Sequence, residues 1–189
     1  MDKKSLIRFM YLAKHISTWS KDPKTKVGCV IVDPETENLK CIGYNCLVRD
    51  FDKSEKTDKY YEKPLKNVFM EHAERSAIYS AAESGTSIKN TFIFCTHFPC
   101  PECSRGILKS GVCTAVVLES SCNSYFRKSN ALEIQQSKTI LNNGIFKIII
   151  LSQEKQETEE KEQNYNPLSF DPVEPTESIQ ESFITKIFI

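Results

Sequence analysis

The 189-residue chain reads as an α/β protein, a three-layer α/β/α sandwich built on a mixed five-stranded sheet. Three observations carry that expectation. Short β-branched runs alternate with amphipathic helical segments, the order that builds a sheet covered by helices on both faces. The composition, 40% hydrophobic and 26% charged, is that of a domain with its own core. Turn and cap residues separate the periodic segments, at Asp33-Pro34, Gly85, Gly111 and Asn143-Gly144.

Residues 5–18 set Leu6, Phe9, Met10, Ala13 and Ile16 at helical spacing and leave Arg8 and Lys14, with Lys3 and Lys4 ahead of them, for solvent. This opening helix stops at Trp19-Ser20-Lys21-Asp22-Pro23, because the residue before proline avoids the helical region and Pro23 has no N–H to donate. A lysine-bearing loop follows. Val27–Val32 and Leu39–Tyr44 are β-prone runs joined across Asp33-Pro34-Glu35 and predict a hairpin. Cys46–Lys66 has many charges and no period, so a long loop without an assigned shape is expected. In Glu71–Glu83 the residues Ala73, Ala77, Ile78, Ala81 and Ala82 form a small-residue helical face able to lie close against a sheet, and Gly85 ends the helix. Thr91–Cys95 is a strand, Pro101–Lys109 a helix with proline in its first turn, Ala115–Leu118 a strand, Ala131–Leu141 a helix and Ile145–Leu151 a last strand.

From Ser152 the composition shifts to Glu, Gln, Lys, Ser and Pro, with a charge run over Glu157–Glu162. One folded domain over 1–151 and a flexible acidic, proline-containing tail over 152–189 are therefore expected. The tail closes on an apolar stretch, Phe183–Ile189, which either docks on its own domain or on a partner subunit as an added strand, or stays unstructured.

Equal numbers of basic and acidic residues, 25 each, argue against a long footprint on DNA or RNA while leaving room for a local phosphate pocket. No apolar run approaches the roughly 20 residues of a membrane span, and no charged stretch followed by an apolar one opens the chain. A cytoplasmic setting is expected, and in it the eight cysteines read as thiols rather than disulfides. Cys29, Cys41, Cys95 and Cys113 fall in apolar strand-like runs and suit a core. Cys46 and Cys122 fall in expected loops.

His72, Cys100 and Cys103 are one imidazole and two thiols, a set that suits tetrahedral zinc with its fourth position open to water, as catalysis requires. Glu74, two residues from His72 at a helix start, can reach that water without ligating the metal and can carry protons. A helix beginning at Pro101 places the two sulfurs on one face, where its N-terminus favours thiolate charge. A structural zinc knot with Cys95 or His97 as fourth ligand is the bland alternative. It leaves His72-Ala73-Glu74 unexplained.

The blocks Ser20-Lys21-Asp22-Pro23, Val27-Gly28, Gly43-Tyr44-Asn45, His72-Ala73-Glu74-Arg75 and Phe98-Pro99-Cys100-Pro101-Glu102-Cys103 together resemble the deoxycytidylate (dCMP) deaminases, within the zinc-dependent cytidine/deoxycytidylate deaminase superfamily. The resemblance spans roughly the first 150 residues. It implies the cytidine-deaminase-like sandwich, hydrolysis of dCMP to dUMP and ammonia, zinc on His72, Cys100 and Cys103, and proton transfer by Glu74. It further implies Asn45 on a sugar hydroxyl, Val27 as a pocket wall, and backbone around Ala73 and Cys100 reading the base edge. The loop from Ser20 to Lys26 would border the nucleotide, with Lys21 as the phosphate candidate; the alternative is a solvated turn. His97 stands where the family usually has an apolar or aromatic residue and is either a pocket-edge contact or a polar strand end.

The resemblance also implies a homo-oligomer and nucleotide effectors, since many dCMP deaminases form oligomers that are activated by dCTP, which would be carried with Mg2+, and inhibited by dTTP, through a site that includes the loop after Gly-Tyr-Asn. The usual next residue is glycine. Here it is Cys46, which implies a shifted or absent effector site. Competing readings are a deaminase of another cytosine nucleotide, a nucleic-acid deaminase of the tRNA adenosine deaminase kind, and a deaminase-fold binding protein. Zero net charge and the blocks at Ser20 and Gly43 disfavour the second, and the intact Glu74 disfavours the third.

Overall fold

The computed structural model describes residues 1–48, 58–122, 131–142, 146–151 and 184–188. Helical spacing of apolar residues makes the first element: α1 (Lys3–Ser17) buries Leu6, Phe9, Met10, Ala13 and Ile16. Asp2 caps it, its carboxylate accepting the Ser5 N–H at 2.7 Å. β1 (Gly28–Val32) is buried throughout, as a strand covered on both faces must be. β2 (Leu39–Tyr44) returns antiparallel to it, giving the expected hairpin.

The region expected to be one long loop is partly ordered structure. β3 (Cys46–Leu47) precedes a 3-10 turn at Asp58–Tyr61, α2 (Leu65–Phe69) and β4 (Met70–Glu71), and β3 pairs antiparallel with β4. Leu47, Tyr61 and Met70 bury one another in a small core of their own. Only tertiary packing makes so polar a stretch regular, since its local pattern offers no period. Cys46 thus lies in a strand rather than in a loop.

α3 (Ala73–Glu83) follows, then β5 (Phe92–Cys95), α4 (Pro101–Lys109), β6 (Thr114–Leu118), α5 (Glu119–Cys122), α6 (Ala131–Leu141), β7 (Lys147–Leu151) and β8 (Ile184–Phe188). Cys122 therefore ends a short helix and not a loop. Gly85, in the left-handed region at φ 66°, terminates α3 as its lack of a Cβ predicts. The stop signal at Asn143-Gly144 and residues 152–183 of the tail lie outside the described residues.

The sheet runs β2-β1-β5-β6-β7-β8. β1 is antiparallel to β2 and β5, β5-β6-β7 are parallel, and β8 is antiparallel to β7. The five expected strands are thus present and mixed, and the apolar C-terminal stretch adds a sixth on its own chain, with Ile149 opposite Ile187. Alternation along the strands sorts the core into two faces. Val30, Val32, Phe94, Val116 and Leu151 meet α1, while Cys29, Ile31, Ile93, Cys95, Ala115 and Val117 meet α3, α4 and α6 through Ala77, Ile107 and Leu141. Cys29 and Cys95 are 0% and 1% exposed, so both are core residues, as their apolar context predicts. Among the described residues no helix is long and apolar enough to cross a membrane.

Candidate active site

Two helix starts bring the chemistry together. His72 caps α3 in extended conformation, immediately after the strand residue Glu71. Cys100 caps α4, also extended, and its sulfur accepts the Cys103 N–H at 3.5 Å. Pro101 in the first helical turn needs no partner for the N–H it lacks. Since α3 and α4 pack on the same face of the sheet, their N-termini converge.

His72 Nδ1 lies 3.6 Å from Cys100 Sγ and 3.5 Å from Cys103 Sγ, and the three donor atoms all fall within 4.8 Å of one another. Zinc bonded tetrahedrally at about 2.3 Å to sulfur and about 2.0 Å to nitrogen sets those atoms about 3.5 Å apart. The donor set therefore fits zinc in both chemistry and spacing. The sulfurs also share charge unequally. A hydrogen bond from the Cys103 thiol, with help from His72, pulls the Cys100 thiol down to about 3 against the cost of its burial. The same hydrogen bond and burial push Cys103 up. His72 is raised by its hydrogen bond with Cys100, which outweighs desolvation. Glu74 is 3% exposed, and burial raises its carboxyl above the ordinary value despite the field of His72.

A pocket opens over this cluster, lined by His72, Ala73, Glu74 and Cys100 at one end and by Asp22, Thr25, Val27, Asn45, Lys66, Met70, His97 and Phe98 around it. Of the residues expected at a nucleotide, Val27, Asn45, Ala73 and His97 do line it. Asn45 is 5% exposed and heavily engaged: Oδ1 accepts the Val27 N–H at 2.7 Å, and Nδ2 donates to the Thr25 carbonyl at 2.8 Å and to Asp22 Oδ2 at 3.2 Å. Its free capacity is one lone pair on Oδ1.

Ser20 and Lys21 stand outside the lining. Ser20, 1% exposed, works behind the wall, donating to the Asn45 carbonyl at 2.8 Å and accepting the Asp22 N–H at 3.2 Å. The lysine that lines the pocket is Lys66, ion-paired with Asp22. Asp22 and Phe98 belong to blocks already singled out in the sequence. Lys66 closes the aperiodic stretch and Met70 lies between that stretch and the expected helix, where no local signal marks either.

The sequence model of the cytidine and deoxycytidylate deaminase zinc-binding region matches residues 3–119, which include every residue of the cluster. The chain belongs to that family. It is 31% identical over 129 residues to the uncharacterized deaminase in the luxG 3′ region of Aliivibrio fischeri, covering 68% of this chain and 82% of that one. It is 33% identical over 132 residues to a probable deoxycytidylate deaminase of Caenorhabditis elegans, covering 69% and 66%. Among solved structures, the apo dCMP deaminase of the cyanophage S-TIM5 matches with 30% identity and a TM-score of 0.52, over 62% of this chain and 84% of that chain.

Proposed function

We propose that this chain is a zinc-dependent dCMP deaminase that converts dCMP and water to dUMP and ammonia. The observation that carries the reading is the approach of His72 Nδ1 to both sulfurs at zinc-ligand spacing, with the buried Glu74 beside them in one pocket. His72, Cys100 and Cys103 would hold the metal, which when bound would lower the pKa of a water toward about 7 and so supply the nucleophile.

The remaining steps belong to the protein. Glu74 takes one proton of the attacking water and passes it to N3 of the pyrimidine as the oxygen adds to C4. It then takes the second proton from the new C4 hydroxyl and delivers it to the amino group, so that the C4–N bond breaks, ammonia leaves and a C4 carbonyl remains. Burial suits it to this exchange, because it raises the carboxyl above its ordinary value and so makes Glu74 a better proton acceptor. Phe98, 1% exposed, offers the base an apolar wall. Asn45 Oδ1 accepts from a sugar hydroxyl through its remaining lone pair.

A monophosphate is the preferred substrate in this reading. The Lys66 ammonium has three N–H donors and gives one to Asp22, which leaves capacity for a phosphate oxygen in the pocket that Thr25 also lines. Ammonia release from a panel of cytosine nucleosides and nucleotides tests this. The expected result is a kcat/KM for dCMP well above that for deoxycytidine, with Lys66→Ala lowering the former roughly tenfold or more and the latter little. Equal values for the two substrates would refute the phosphate preference.

A further inference from the structure

Glu71, Arg75 and Glu102 take no part in the steps above, yet they join the two segments that carry the cluster. Arg75 Nε lies 2.5 Å from Glu71 Oε1, and the same oxygen accepts the His72 N–H at 3.0 Å. The other arm of the guanidinium, Nη1, is ion-paired with Glu102 Oε2 at 2.5 Å. Glu102 stands between Cys100 and Cys103 in the first turn of α4. Arg75 and Glu71 are largely withdrawn from solvent, at 16% and 21% exposure, whereas Glu102 is 66% exposed.

His72 arrives from α3 and the sulfurs from α4, elements with no covalent reason to stay in register. A site assembled in this way opens when either arm swings. A planar guanidinium ties both carboxylates to one rigid group, by a hydrogen bond to Glu71 and an ion pair with Glu102, which a lysine ammonium on a flexible stem does not. Arg75 also stays charged: burial opposes the charge, and the hydrogen bond to Glu71 together with the charge of that carboxylate outweighs it.

We propose that Arg75 is a positioning residue that clamps the His72 segment to the Cys100-Pro101-Glu102-Cys103 turn through Glu71 and Glu102, and so slows the loss of zinc. This rests on the reading of His72, Cys100 and Cys103 as the zinc ligands. Residues that orient ligands without touching the metal are worth roughly 10- to 100-fold in metal affinity, and a clamp across two elements acts mainly on the off-rate.

The test follows zinc transfer to a chromogenic chelator from the zinc-loaded wild type, Arg75→Gln, Arg75→Lys, Glu102→Gln and the Arg75→Gln/Glu102→Gln double variant, with melting temperatures of the loaded and zinc-free chains. Arg75→Gln and Glu102→Gln are each expected to release zinc roughly tenfold faster or more. Arg75→Lys gives no rescue, and the double variant is no faster than Arg75→Gln alone, because both changes break one link. Melting temperatures are expected to fall in the loaded chains only. Glu102 is exposed, so its variant folds even if an Arg75 variant does not. Release within twofold of wild type for Arg75→Gln and Glu102→Gln, additive effects, or equal losses of melting temperature with and without zinc would each sink the clamp while leaving the ligand assignment intact. A wild-type chain that binds no zinc would overturn both.

Discussion

Gly43 lies directly beneath Ala73: a Cβ on Gly43 would stand 2.3 Å from the Ala73 carbonyl oxygen and 2.4 Å from the Ala77 amide nitrogen. The helix that begins at the active site therefore rests on β2 backbone to backbone. Gly43→Ala must lift α3 from the sheet, and with it His72 and Glu74. A loss of roughly 1–3 kcal/mol in stability is expected, read as a lower urea midpoint, together with reduced zinc content and ammonia release. A Gly43→Ala chain with the wild-type midpoint and turnover would show that α3 is not held by this contact.

Glu74→Gln keeps the size of the side chain and removes the proton carrier. Zinc content by elemental analysis should stay at about one per chain, as expected for three ligands that leave a position open, while turnover falls by roughly 100-fold or more. Cys103→Ala should do the opposite and lose the metal itself. Full activity in Glu74→Gln would rule out the proton path, and full metal content in Cys103→Ala would rule out the ligand assignment.

Asp22 links stability to pH. Burial by itself would raise its carboxyl, but hydrogen bonds from Lys66 and from the backbone N–H groups of Lys24 and Thr25 outweigh it and hold the group below its ordinary 3.8. A depressed carboxyl stabilises the folded chain fully above the unfolded value and loses that contribution as pH falls through the folded one. Urea unfolding of wild type and Asp22→Asn should therefore differ by a constant amount, on the order of 3 kcal/mol for a broken buried pair, from neutral pH down to about 5. The gap should then narrow below about pH 4. A gap that widens on acidification would contradict the assignment.

Cys46 stands where the resemblance to the dCMP deaminases implies a glycine, and its backbone is engaged in β3 opposite Glu71, with the 2%-exposed Leu47 next to it. A Cβ and a ladder together remove the freedom that a close-approaching nucleotide effector needs. We expect dCTP with magnesium to change the dCMP saturation curve little, measured on protein of known oligomeric state. A sigmoidal curve that dCTP converts to a hyperbolic one of much higher apparent affinity would show that the effector site survives.

Local pattern determined a great deal here. The spacing of Leu6, Phe9, Met10, Ala13 and Ile16 specifies α1, the β-branched runs specify the strands, and His72-Ala73-Glu74 with Cys100-Pro101-Glu102-Cys103 names the metal chemistry, because helical period, strand alternation and ligand type are properties of neighbouring residues. Tertiary structure decided what depends on segments far apart in the chain. The β3-β4 ladder, the docking of Ile184–Phe188 beside β7, the choice of Lys66 rather than Lys21 as the pocket lysine, the use of Ser20 to brace Asn45, and the ion pair from Arg75 to Glu102 leave no periodic trace. Each is a contact between surfaces that meet only after the sheet has formed, and a polar side chain carries no local mark of the partner that folding will bring to it.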